Sequence, residues 1–491
     1  MKIRRWIALG LLALVAPAMA QDAKTVIANA SKAMGLDGVN SLYYYGSGRT
    51  YSIGQNNNAN MPWPQTPLND WVRAIDFAQP AMRTTWSTYA IPVTGGAARL
   101  APAQQNVTPA QAGNWNLQLE IWTTPWGFIK GAAASTNATV KTENVGGKPH
   151  RVVTWSPAVK SPGGKNYQVV GWINADNLVT KVNTWVEHGI YGDLMVESDY
   201  SFYREINGLK FPTEMVQRRA GWPVFDVQVL AAWPNPPKIA DLMAIPAPPA
   251  GAPGAGGPPP GAGGAMTTPS EKLADGVYRI KGAYNSLAVE MADQVLLIEP
   301  GPQNEARALA GIAETRRLFP NKPIKFGVIT HHHFDHTGGI AAVAAEGITI
   351  VTPAVNKAFL EKALSGPRTL APDALAKSGK KAMVEGFAGD KRVFQDATRT
   401  VELHVIKGLP HADGLVVAWL PKEKILVYAD MFNFPPANDP VPNPPVIGTR
   451  VFLENLQRLG IDTDKILSIH TMNPDRFATV QDIKASLGMA N

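Results

Sequence analysis

The chain has 491 residues, 45% hydrophobic and 17% charged, which gives room for two or three domains with cores of their own and excludes a disordered chain. Its net charge of +7 includes Lys2, Arg4 and Arg5, and no dense Lys/Arg block follows, so nucleic acid is not an expected partner. There is no cysteine, which rules out disulfides and thiolate ligands and suits an oxidising compartment.

In chain order, residues 1–20 read as a secretory signal: a basic start, an apolar run from Trp6 to Val15, and a small-x-small cleavage site at Ala18-Met19-Ala20. The run is too short for a permanent anchor, and no later stretch predicts a transmembrane segment. The mature chain is expected to be periplasmic or secreted after cleavage near Ala20. Residues 22–34 carry Val26, Ile27, Ala30 and Met34 at helical spacing. From residue 41 to about 233 the texture is aromatic and β-branched, including 42–45, 117–122 and 151–155. Gly146-Gly147, Asp176-Asn177 and Asn207-Gly208 read as hairpin turns. The N-terminal domain, residues 21–244, is therefore expected to be a mainly antiparallel β meander or half-barrel. Of the 13 tryptophans, all but Trp6 and Trp419 fall between Trp63 and Trp233. They read either as packing of a twisted sheet or as an apolar groove for a lipid or aromatic ligand. In topology alone the meander resembles periplasmic lipoprotein carriers.

Residues 245–270 are almost all proline, glycine and alanine, a linker that cannot build a core. It predicts two halves that fold separately and remain free to dock. Residues 271–491 then alternate strands and helices, suggesting two sheets packed face to face with helices outside. Strands are expected at 276–280, 286–291, 294–298, 325–330, 348–351, 400–406, 415–420, 425–429 and 465–469. Helices are expected at 305–318, from Pro353 to 364, at 448–459 and at 476–487. At the end of the 325–330 strand, His331-His332-His333-Phe334-Asp335-His336 places four imidazoles and a carboxylate in six residues. Carboxyl ends of parallel strands are where such sheets place ligands. His331 and His333, two apart, can face one metal ion, with Asp335 and His336 facing a neighbouring point. These are good donors to zinc and related divalent ions.

The pattern His331-x-His333-x-Asp335-His336, followed by Gly338-Gly339, resembles the signature of the metallo-β-lactamase superfamily. His411 in Gly408-Leu409-Pro410-His411, Asp430 after Ile425-Leu426-Val427-Tyr428-Ala429, and His470 after Lys465-Ile466-Leu467-Ser468-Ile469 follow in the family's order. The resemblance covers about residues 276–487 and implies an αββα sandwich of two mixed sheets. It also implies two zinc ions, one on His331, His333 and His411, the other on Asp335, His336 and His470, with Asp430 bridging. Iron or manganese would suit the same ligands. Asp335 and Asp430 would be the catalytic carboxylates. The implied reaction is attack by metal-bound hydroxide on an ester, lactone, thioester or amide carbonyl of a small-molecule substrate. The alternatives are a phosphodiesterase or sulfatase on the same scaffold, and a lipid- or ligand-binding protein led by the N-terminal domain with an accessory hydrolase domain.

Asp430 bears on the subclass. β-Lactamases of this fold usually place cysteine or a non-ligating residue there, whereas thioester hydrolases, lactonases and phosphodiesterases use aspartate. Asp430 could instead cap a turn. His332 is expected outside the ligand set, and Asp413 reads equally as a partner of a ligand imidazole or as an ordinary loop residue. His404, His150 and His188 receive no role. Residues 366–386 and 431–448 are candidates for an apolar wall over the metals, with rigid structural loops the other reading.

Overall fold

The computed structural model describes residues 22–90, 99–100, 104–108, 114–244, 266–436 and 439–489. The expected signal at 1–20 and most of the linker lie outside them.

The N-terminal region is a large antiparallel sheet of 11 strands. Successive hairpins run from Thr139–Val145 to Trp222–Pro234, and that last strand returns to pair with Ser41–Tyr51, Leu42 opposite Pro234. Turns fall at the glycine and asparagine pairs expected, Asn177 and Asn207 taking left-handed backbone. The first helix is Ala23–Met34, buried through Val26, Ile27, Ala30 and Met34. Residues 117–122, expected as strand, lie in the helix Trp115–Trp122. Their alternation of apolar and polar residues imitates a strand, but the Asn114 side chain accepts from Leu117 N and starts a helix. A third helix, Pro125–Ala134, begins with its proline after the Thr124 cap. Trp115, Trp126 and Phe128 from these helices are wholly buried in the same core cluster as Tyr44 and Phe211 of the sheet. Trp126 and Phe211 pack with their rings tilted by 41°, 4.2 Å between centroids. Much of the tryptophan density is thus core.

The C-terminal region holds a mixed sheet of seven strands and a mixed sheet of five. One core cluster joins them, with Val289, Ile298 and Val351 from one sheet meeting Val401, Val427 and Leu467 from the other. Glu305–Leu318, Ile340–Ala345 and Ala354–Ser365 cover one outer face, and Ile447–Leu459 with Val480–Ser486 the other. This is the αββα sandwich. Several details differ from expectation, among them a strand at Ser270–Ala274, which begins inside the expected linker, and a short helix at Ala374–Ser378. Pro353 precedes its helix as the cap residue. The last helix starts at Val480 because Ala478 pairs in both directions with Ile466, at 2.9 Å each way. Two short strands, Val384–Phe387 and Lys391–Gln395, lie where none was expected.

The halves are docked. The hairpin around Tyr191 meets residues 367–370: the Asp193 carboxylate accepts from Thr369 N at 2.9 Å and Leu370 N at 2.9 Å. Arg368, buried, donates to the carbonyls of Ile190 and Ala363. Residues 366–373 therefore tie down the neighbouring domain, rather than forming the wall over the metals that their length suggested. Ala59 and Ile190 join the core cluster of the C-terminal domain.

Candidate metal centre

Strand ends bring the expected residues together at one end of the sandwich. Ile324–Val328 lies parallel between Val295–Ile298 and Thr349–Pro353, and its carboxyl end delivers residues 329–333. A single helical turn, Phe334–Thr337, follows and carries Asp335 and His336. Ile425–Tyr428 and Lys465–Ser468, parallel partners in the other sheet, deliver Asp430 and His470. His411 comes from the loop between Thr400–Val405 and Val416–Leu420. Asp430 takes left-handed backbone at φ 57°, a conformation that asparagine and aspartate tolerate best and that clusters at working sites.

Three groups of ligand atoms result, each with its atoms within 4.8 Å of one another: His331 with His333 and His411; His331 with His336 and Asp430; Asp335 with His336 and His470. Asp430 Oδ2 stands 3.0 Å from His336 Nε2, 3.6 Å from His331 Nε2 and 3.8 Å from His411 Nε2, while Asp430 Oδ1 is 3.0 Å from His470 Nε2. Ligands about 2.0–2.1 Å from a tetrahedral zinc stand about 3.3 Å apart, the same spacing.

The partners of these atoms decide what the cluster can do. His331 Nε2, His333 Nδ1, His411 Nε2 and Asp430 Oδ2 are buried and have no hydrogen-bond partner. Buried polar atoms are nearly always paired, so four converging exceptions call for an ion. Burial pushes the His331 imidazole well below its usual range and His333 down to about 3, and lowers His411 as well. All three are neutral at pH 7, the state a metal requires. His336 goes the other way. Burial opposes its charge, but the carboxylates of Glu299 and Asp430 outweigh that and raise it to about 10. Burial opposes the Asp430 charge too, but His336, His470 and His331 hold its carboxyl far below the carboxylate range. The residues fit a divalent metal.

The outer shell was mostly invisible in the sequence. His336 Nδ1 meets Glu299 Oε1 at 2.8 Å, and Glu299 Oε2 also accepts from Thr330 N at 3.1 Å. Thr330 Oγ1 lies 3.2 Å from His331 Nδ1. Tyr284 donates to Asp335 Oδ2 at 3.0 Å. His332 is buried, and its Nε2 bonds the Asn56 carbonyl rather than joining the ligands. Asp413 meets no imidazole; its carboxylate accepts from Asn58. His404 pairs with Glu402, His150 bonds the Lys148 carbonyl, and His188 packs on Phe334 at the domain junction.

Beside His411 and Asp430 opens a cavity of about 600 Å³ lined by Leu409, Met431, Phe432, Phe434, Val446 and Ile447. Residues 431–436 and 446–448 thus supply apolar wall of the kind expected of this stretch. No lysine or arginine is among the described residues lining it.

The family model of the metallo-beta-lactamase superfamily matches residues 279–463. The C-terminal half of the chain is a metallo-β-lactamase superfamily domain. Its class of chemistry is metal-dependent hydrolysis. Similar solved structures include a metallo-beta-lactamase from Pontibacter korlensis, 19% identical over 45% of this chain and 98% of that one, with a TM-score of 0.32. The DIM-1 metallo-beta-lactamase is 16% identical over 46% of this chain and 97% of its own, with a TM-score of 0.34. FIM-1 from Pseudomonas aeruginosa, in its mono-zinc form, is 16% identical over 46% and 95%, with a TM-score of 0.33. No curated protein matches the chain. The metallo-β-lactamase superfamily match begins at residue 279, so the N-terminal sheet lies outside it. No helix among the described residues is long and apolar enough to cross a membrane.

Proposed function

We propose that the protein is an exported di-zinc hydrolase that cleaves an ester, lactone, thioester or amide bond in a neutral substrate with an apolar group. The observation that carries this reading is the set of four buried, unpartnered donor atoms on His331, His333, His411 and Asp430. His331, His333 and His411 would hold one ion, Asp335, His336 and His470 the other, and Asp430 both. Two divalent cations held by these residues would lower the pKa of a bound water and polarise the bond under attack. Asp335, half-buried and held low by the His336 charge against its burial, is a carboxylate at the mouth of the site. Tyr284 pins its Oδ2, which leaves it placed to orient a nucleophile and pass a proton to the leaving group. The signal-like first 20 residues support export.

The cavity supports the choice of substrate. An apolar acyl or alkoxy group fits beside Phe432 and Phe434. A phosphodiester or sulfate would bring a fixed negative charge to walls without lysine or arginine among the described residues. A carrier role for the N-terminal domain has less support, because helices fill the core under its sheet.

The test is turnover of chromogenic ester, lactone, thioester, β-lactam and phosphodiester substrates, with and without chelator. The expected result is hydrolysis of a neutral acyl substrate, abolished by chelator and restored by zinc. Chelator-insensitive hydrolysis, or cleavage of the phosphodiester alone, would overturn the proposal.

A further inference from the structure

Between the strands Ser41–Tyr51 and Gln65–Asp76, residues 52–64 leave the N-terminal sheet and lie against the histidine cluster of the other domain. Gly54 opens the approach. Its φ is 77°, and a Cβ there would stand 2.2 Å from the Phe334 ring, so a side chain is excluded twice over. Its carbonyl accepts from Phe334 N at 3.2 Å. Gln55 Nε2 then donates to Asp335 Oδ1 at 2.9 Å. The Asn56 carbonyl receives two imidazoles, His332 Nε2 at 2.8 Å and His333 Nε2 at 3.0 Å.

A carbonyl oxygen only accepts, so both imidazoles carry a proton on Nε2. For His333 this leaves Nδ1 as the nitrogen with a free lone pair, and Nδ1 is the buried atom without a partner. The loop is itself braced. Asn56 Nδ2 donates to the carbonyls of Asn58 at 2.6 Å and Met61 at 3.0 Å. Asn58 Nδ2 donates to Asp413 Oδ2 at 3.0 Å, and Trp63 packs edge-on against Phe334.

We propose that this loop is a working part of the metal centre: the Asn56 carbonyl fixes the tautomer in which His333 binds metal, and Gln55 aims Asp335. The N-terminal domain would then supply positioning groups that the hydrolase domain lacks. The proposal rests on the metal-binding reading above. It also assigns the N-terminal domain a task within the hydrolase, without a ligand of its own.

The test measures zinc affinity, by competition with a chromophoric chelator, in the full-length chain and in Asn56→Ala, Gln55→Ala and Asn60→Ala. Asn56→Ala removes the brace that holds its own carbonyl in place. Gln55→Ala removes the contact with Asp335. The Asn60 side chain, in the same loop, donates to the Val355 carbonyl at 3.3 Å and touches neither Asn56 nor the histidines, so it serves as control. Removal of a group that orients a ligand typically weakens metal binding about 10–100-fold. That loss is expected for Asn56→Ala in one zinc equivalent and for Gln55→Ala in the other. Asn60→Ala should bind as the parent does, and the metal-free melting temperature should hold in all three. Parental affinity in both Asn56→Ala and Gln55→Ala would overturn the inference. If Asn56→Ala does not fold, Gln55→Ala decides alone, because its half-buried side chain supports no core. A parent chain that binds no zinc would sink the metal reading itself, a result distinct from unchanged variants.

Discussion

The two triads that share Asp430 are built differently. His331 and His333 are wholly buried and neutral; the outer nitrogen of each faces a fixed oxygen, from Thr330 and Asn56, and the other has no partner. In the second triad, His336 is equally buried but charged, while Asp335 and His470 are about 30% exposed. Its atoms engage one another, His336 Nε2 lying 3.1 Å from His470 Nε2. The first triad is thus set for an ion without rearrangement, whereas the second must give up a proton and internal contacts. Affinity should therefore belong to the first site, whose His411, 30% exposed, also borders the apolar cavity.

The largest expected effect comes from removing what the triads share. Asp430→Ala should lower kcat/KM by on the order of 10³-fold, since it takes a ligand from both ions; loss below tenfold would show that the carboxylate is only a turn cap. Next, His333→Ala should abolish one zinc equivalent, while His332→Ala keeps both, a contrast read by elemental analysis of dialysed protein. Glu299→Gln should weaken the second equivalent about 10–100-fold and leave the first nearly unchanged, because its carboxylate touches His336 and neither His333 nor His411. Equal loss at both sites would erase the distinction.

The smallest effect, taken per unit change, is in pH. His336 sits near pKa 10 in the metal-free chain, so at neutral pH it carries a proton that an incoming cation must expel. Binding at the second site should release about one proton and strengthen up to tenfold per pH unit from 7 toward 10. The first triad, already neutral, should change little over that range. Calorimetry in buffers of different ionisation enthalpy measures both.

The ligand set was legible because chemistry and order coincided: a crowd of imidazoles after one strand, then a histidine in a loop and two single polar residues closing later apolar stretches. The sandwich was legible for the same reason, its buried strands reading as runs of valine, leucine and isoleucine. Residues 117–122 misled because Leu117, Leu119 and Ile121 alternate, although Leu117 is exposed and Trp115, one turn before Leu119, is buried with Leu119 and Ile121. The Asn56 contact had no signal to read. A backbone carbonyl is the same in every residue, and 276 positions separate it from His332. Only the polar run Gln55-Asn56-Asn57-Asn58 in an aromatic domain hinted at a loop with work elsewhere. Residues 366–386 were long enough to suggest a wall over the metals, but length does not say which surface a loop covers.

Metal content of the intact chain tests the account most directly. Purified protein, stripped with chelator, re-equilibrated with zinc and freed of excess, should retain two equivalents, the second leaving first under a weak chelator. Retention of none would contradict a metal centre at these seven side chains.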